Sequence, residues 1–166
     1  MTRHYSAARF AIAVLALLAF VRPAAAGDQV PFKGGVEATT VERTFIPGNP
    51  PHVFIRLEGT GQASHLGQFT FVAPHFVNPA TGAVAGTYQF TAANGDMLFA
   101  DFTAQTTPIP GTTLVVVEDS ATITGGTGRF AGATGGFTAE RIVDTVAGTT
   151  EGSFEGTISS VGSAKP

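Results

Sequence analysis

From residue 27 onward one pattern recurs: a short run rich in Val, Ile, Phe and Thr, then a cluster of turn-forming residues, at intervals of about 8 to 14 residues. Such runs fall at 35–45, 52–60, 64–76, 83–92, 97–105, 112–124, 134–144 and 151–160, and almost no 3.6-residue apolar periodicity lies between them. That predicts eight strands and an all-β fold. Pro47-Gly48-Asn49-Pro50-Pro51 closes the first run, and Asn78-Pro79-Ala80-Thr81-Gly82 parts the third from the fourth. Asn94-Gly95 sits between YQFTAA and MLFADF, where its tolerance of positive φ suits a tight hairpin. Neighbouring strands are therefore expected to be antiparallel. With no helices to cover its faces, such a sheet must close on itself to bury its apolar side and remove its edges. The expected architecture is a single eight-stranded antiparallel β-barrel.

Alternation separates the two faces of each strand. His65, Phe69 and Phe71 share a face opposite Ser64, Gln68 and Thr70; Tyr88, Phe90 and Ala92 oppose Thr87, Gln89 and Thr91. Leu98, Ala100 and Phe102 form a third inward set, and Phe154 with Ile158 a fourth. An eight-stranded barrel is either filled by its own side chains or just wide enough for one small ligand. Twelve phenylalanines follow residue 26, enough for either outcome.

The beginning of the chain carries an address. MTRHYSAAR is basic and lacks acids, FAIAVLALLAFV (10–21) is continuously apolar, and Ala24-Ala25-Ala26 supplies a small-x-small cleavage site. The apolar run is shorter than the roughly 20 residues needed to span a bilayer. Residues 1–26 are thus expected to be a signal peptide and 27–166 the barrel domain, secreted or periplasmic and free of the membrane once cleaved. Removing Arg3, Arg9 and Arg22 leaves six basic residues against twelve acidic ones, net −6, which speaks against nucleic acid as a partner. Cysteine is absent, so packing must replace disulfides, and thiol nucleophiles, iron–sulfur clusters and cysteine zinc sites are excluded.

The stretch ITGGTGRFAGATGGF (123–137) places six glycines in fifteen residues. A dinucleotide fingerprint would lead into a helix and a P-loop would carry Lys, whereas this stretch continues as a strand from Thr138. It is read instead as a corner, with Gly125-Gly126 and Gly135-Gly136 releasing the backbone at two bends and Phe130 plugging one barrel end. GGTGRFAGATG (125–135) resembles the GGTG-x-F-x-x-A-x-G signature of plant dirigent proteins, and Asn94-Gly95-Asp96-Met97-Leu98 resembles that family's Asn-Gly-Ser-x-Leu stretch. The resemblance spans about residues 60–160. It implies the eight-stranded barrel shared by dirigent proteins and allene oxide cyclases, here as a bacterial-type exported member, and a homo-oligomer, since related dirigent barrels are trimers. The chain departs from the plant pattern in having no cysteines and in Thr134, where an arginine is usual; no set of acidic and arginine cavity residues aligns.

Few residues point to chemistry. No metal site is expected, because His52, His65 and His75 lack ligand spacing and Pro74 interrupts the run before His75; no cofactor is expected either. No G-x-S-x-G elbow occurs, and Ser64 and His65 point to opposite faces of a strand. Glu118 and Asp119 diverge likewise and are read as a strand end entering solvent, and Arg56 with Glu58 as an exposed pair. The catalytic candidates are His65, inward by parity, and Arg141, which alternates with Phe137, Ala139 and Val143. Either Arg141 lies inside, able to hold a carboxylate or enolate oxygen, or its strand turns Ile142 inward and leaves it solvated.

Three readings of function stay open. The barrel holds a small apolar molecule, walled by Phe69, Phe71, Tyr88 and Phe90 and oriented by His65. Alternatively the same cavity folds an unsaturated substrate into one conformation before cyclisation or coupling, an isomerase- or cyclase-like activity resting mainly on steric control, as the resemblance implies. Or phenylalanines fill the lumen and the outside serves as a non-enzymatic surface or assembly protein, with Met97 and Phe99 at a subunit contact.

Overall fold

A computed structural model of the chain describes residues 28–159. The expected signal peptide, 1–26, lies outside the described residues. Eight strands follow in order: β1 (Gln29–Ile46), β2 (His52–Ala63), β3 (Gly67–Val77), β4 (Ala83–Ala92), β5 (Met97–Pro108), β6 (Leu114–Gly126), β7 (Gly135–Asp144) and β8 (Thr149–Ser159). Each pairs antiparallel with its sequence neighbours and β8 closes on β1, giving a closed barrel in sequential order. The number, order and approximate bounds of the strands agree with the periodicity of the sequence.

The two ends of the barrel differ. At one end lie the β2–β3 turn, the β4–β5 turn at Asn94-Gly95 and the glycine-rich segment between β6 and β7. That segment is a corner: a short 3-10 turn (Gly128–Phe130) directs Phe130 into the core, where it is 1% exposed and belongs to the same buried cluster as Leu66 and Ala133. Gly125 and Gly135 flank it at φ +134° and +136°, backbone that residues with a Cβ rarely adopt. The corner docks on the β4–β5 hairpin. Met97 N–H donates to Thr127 Oγ1 at 2.9 Å, Thr127 N–H to the Met97 carbonyl at 2.8 Å, and Arg129 N–H to Asp96 at 3.3 Å. The two segments that resemble the dirigent pattern therefore pack against each other. Together they seal this end.

The interior is filled by pairing absent side chains with large ones across the ladder. Gly61 faces Phe69, Gly59 faces Phe71, Gly86 faces His75, Gly156 faces Phe137 and Gly152 faces Arg141. A Cβ on Gly59 would stand 2.7 Å from the Phe71 ring, and one on Gly152 2.7 Å from Arg141 Cγ, so the rings occupy space the glycines vacate. Phe32, Phe69, Phe71, Phe90, Phe137 and Phe154 form a continuous aromatic core, with Phe32–Phe154 and Phe137–Phe154 centroids 5.0 and 5.1 Å apart.

The opposite end, with connections 47–51, 78–82, 109–113 and 145–148, is the mouth. Here β1 outruns its partner: pairing with β8 stops at Thr39, while pairing with β2 continues to Ile46. A bulge between Thr40 and Glu42 exchanges the faces of the overhang, because one extra residue reverses a period of two. Even-numbered Val36 and Ala38 point inward before it, whereas Phe45 afterwards pairs with inward-facing Val53. Phe45 thereby joins the lumen side of the mouth while 62% exposed. On the outer wall, Glu118 stands directly opposite Glu140, and Glu37 opposite Glu151.

Candidate functional site in the barrel lumen

The lumen-facing positions carry a polar group of four side chains at the base of the mouth. β6 turns Asp119 inward and leaves Glu118 outside; β7 turns Arg141 inward and Ile142 outside. Arg141 Nε donates to Asp119 Oδ2 at 2.7 Å and Nη2 donates to Oδ1 at 2.9 Å, a two-point pair that is nearly solvent-free. Tyr88, from β4, donates its hydroxyl to the same Oδ2 at 2.9 Å. The Tyr88 ring stacks on Phe102 at a 4.4 Å centroid distance, and His75 from β3 lies 6.0 Å from Phe102 on the same side of the lumen.

The protonation states follow from burial and partners. Burial pushes the Tyr88 hydroxyl well above its ordinary range, so it stays a donor. Burial opposes the charge on Arg141, but the Asp119 carboxylate, hydrogen-bonded to it at two points, outweighs burial and holds the guanidinium more firmly protonated than usual. Burial lowers the His75 pKa against the raising effect of the Ala73 carbonyl, to which Nδ1–H donates at 3.0 Å. Neutral His75 therefore offers an unprotonated Nε2. Among the described residues neither that nitrogen nor Arg141 Nη1 has a hydrogen-bond partner. Thr150, on β8 two residues from the Gly152 that accommodates the Arg141 stem, is 3% exposed, and its hydroxyl likewise lacks a partner among the described residues.

The expected site residues distribute as follows. Phe69, Phe71, Tyr88 and Phe90 all face the lumen, and their rings pack on one another, with Phe69–Phe90 at 5.4 Å and Tyr88–Phe90 at 5.3 Å. Protein occupies the lumen at that level. Arg141 takes the interior of its two positions, which corrects the reading that turned Ile142 inward; the Asp119 charge removes the cost that favoured a solvated arginine. Asp119 corrects the placement of Glu118-Asp119 at a solvent-entering strand end: only Glu118 is exposed. His65 is also corrected. The strand begins at Gly67, and His65 lies in the preceding turn at φ +65°, exposed, with Nε2 3.2 Å from the Pro31 carbonyl. Strand parity does not apply to it. Arg56 and Glu58, expected as an exposed pair, do form an ion pair, and it is half-exposed.

His75 was hidden by Pro74. The β3–β4 ladder does skip from Val72 to His75 there, since Pro74 has no N–H to give, but pairing with β2 is continuous and carries the strand through. The signal was present in the odd-numbered series Phe69, Phe71, Ala73, His75. Among the described residues no cluster of three or more His, Asp or Glu is placed to hold a metal.

Solvent reaches this end of the lumen. Val53, Ile55, Val77, Val115 and Val143 point inward by ladder parity and remain only partly buried, whereas Phe32, Leu98 and Ile158 near the sealed end are fully buried. Depressions of the outer wall, such as that lined by Glu37, Thr60, Gln62, Glu140 and Glu151, present mainly outward-facing side chains. No family model, characterised protein or solved structure matches the chain.

Proposed function

We propose that the protein is an exported barrel, of the dirigent and allene oxide cyclase type, that binds a small and largely apolar molecule in the mouth half of its lumen. The observation that carries this reading is the contrast between the two ends: at the mouth inward-facing Val53, Ile55, Val77, Val115 and Val143 retain exposure, with Val84 the exception, whereas at the seal Phe32, Leu98, Phe130 and Ile158 are fully buried, with Val30 the exception. Phe45, Val53, Ile55, Val77 and Val143 wall the ligand, Tyr88 and Phe102 floor it, and Phe69, Phe71 and Phe90 hold that floor in place. Apolar walls with a few convergent polar groups are what small-molecule sites require. Where the ligand is reactive, the same walls guide its conformation, and neutral His75 is available as a base within the lumen.

Binding is tested with the neutral fluorescent probe N-phenyl-1-naphthylamine. The mature protein should give saturable enhancement that Ile55→Trp abolishes by filling the mouth, while Phe76→Ser on the outer wall leaves it unchanged. Enhancement insensitive to Ile55→Trp would sink the lumen reading. A second reading, of a filled barrel acting through its surface as an assembly partner, is favoured by the packed aromatic half and by exposed Val41 and Ile46 on the overhang. Analytical ultracentrifugation of Ile46→Lys beside the parent tests it: an unchanged mass for both would remove the overhang as a contact.

A further inference from the structure

We infer that the polar group at the base of the mouth is a subsite for a neutral oxygen function of the ligand, a carbonyl or a hydroxyl, and that it disfavours a carboxylate; this rests on the lumen-binding reading above. An interior Arg141 standing alone would suit a carboxylate or enolate oxygen. In the structure Asp119 takes that place, engaging Nε and Nη2. The pair is internally neutral, and Tyr88 spends its proton on the same carboxylate. A ligand carboxylate would set two anions against one guanidinium in a nearly solvent-free site, where charge without a counter-charge is costly.

What remains unused is a set of neutral-ligand contacts. Arg141 Nη1 is a donor without a partner among the described residues, Thr150 Oγ1 on β8 is a buried hydroxyl that likewise lacks one, and His75 Nε2 is an acceptor. Buried polar groups in folded proteins are nearly always satisfied, so the Thr150 hydroxyl marks a place where another oxygen belongs. A carbonyl oxygen would accept from Arg141 Nη1 or from Thr150 Oγ1. A hydroxyl would use either of these or donate to His75 Nε2. Thr150 is the specificity-determining residue that can be altered cleanly, because valine keeps its volume and β-branching and leaves the ion pair intact.

The test displaces N-phenyl-1-naphthylamine with nonane, octan-1-ol, octan-2-one and octanoate, on the mature protein and on Thr150→Val. Octan-1-ol and octan-2-one are expected to displace the probe from the parent at lower concentration than octanoate. Thr150→Val should weaken both neutral oxygen probes about three- to tenfold while nonane is unchanged, the loss of one hydrogen bond. Octanoate displacing as well as octan-1-ol, or Thr150→Val leaving octan-1-ol and octan-2-one unaffected, overturns the subsite alone. Failure of all four compounds to displace the probe overturns lumen binding and the subsite with it.

Discussion

Arg141 grips Asp119 at two points inside the barrel, Nε to Oδ2 and Nη2 to Oδ1, and Tyr88 closes the third side of the same carboxylate. Removing one member leaves the other charge stranded. Asp119→Leu is expected to cost about 3–5 kcal/mol of stability. The double variant Asp119→Leu/Arg141→Met should recover much of that loss, since a buried pair replaced by apolar groups is often near neutral. Urea unfolding of the two variants beside the parent checks both; a double variant no more stable than the single would show that the pair itself, not the stranded charge, carries the energy.

His75 ties stability to pH. Its folded pKa lies below the ordinary value of 6.5 because of burial, so the unfolded chain binds its proton more readily. The stabilising contribution is complete above about pH 6.5 and declines as pH falls through the interval down to the folded pKa. Arg141 and Asp119 act on the ring with opposite signs. Thermal melts at pH 7.5 and 5.5 should show a smaller pH effect in His75→Gln than in the parent. Equal pH effects in the two would mean that His75 does not titrate differently on folding.

Phe130 closes the sealed end from the glycine corner, fully buried against the core. Phe130→Ala should cost about 3–5 kcal/mol through lost burial and a cavity. Denaturant midpoints measure the loss, and proteolysis should then begin in the 127–134 segment. A loss below about 1 kcal/mol would mean that the corner collapses into the space.

Gly61 is expected to resist even one added carbon. An alanine methyl would fall on the Phe69 ring and on the Gly35 carbonyl, and overpacking of this kind costs about 1–3 kcal/mol. Gly35, where a Cβ would meet only the Gly152 carbonyl at 3.7 Å, an ordinary contact, should accept alanine with little change. Melting temperatures of the two variants make the comparison, and equal shifts would show that the lumen yields more easily than its packing implies.

The outer wall carries two carboxylate pairs set directly across the ladder, Glu118–Glu140 and Glu37–Glu151. Like charges so placed repel, by about 0.2–1 kcal/mol. Glu140→Lys should raise the melting temperature at low ionic strength, with the gain fading in 0.5 M salt as screening sets in. A salt-independent gain would point to a cause other than charge.

The fold was legible because its signal is local and repeated. Each strand alternates independently, and the inward series through Phe69 and Phe71, Tyr88 and Phe90, and Phe154 and Ile158 needs only a period of two. The site was less legible, because its members answer to one another across strands. Neither Asp119 nor Arg141 looks like an interior residue alone, and each is interior because the other is there. His75 was masked by a proline that breaks one ladder and not the other. His65 shows the opposite error, in which alternation was extended by two residues past the start of the strand into a turn.

The glycines facing Phe69, Phe71, His75, Phe137 and Arg141 make the inner contour of the barrel a record of where atoms are missing. A vessel shaped in this way can be recut from its wall. Changing the glycine behind an aromatic ring would shift that ring relative to the lumen without altering any other inward-facing side chain. The inner shape of such a barrel can therefore change by single methyl groups on strands that reach the lumen only through another side chain.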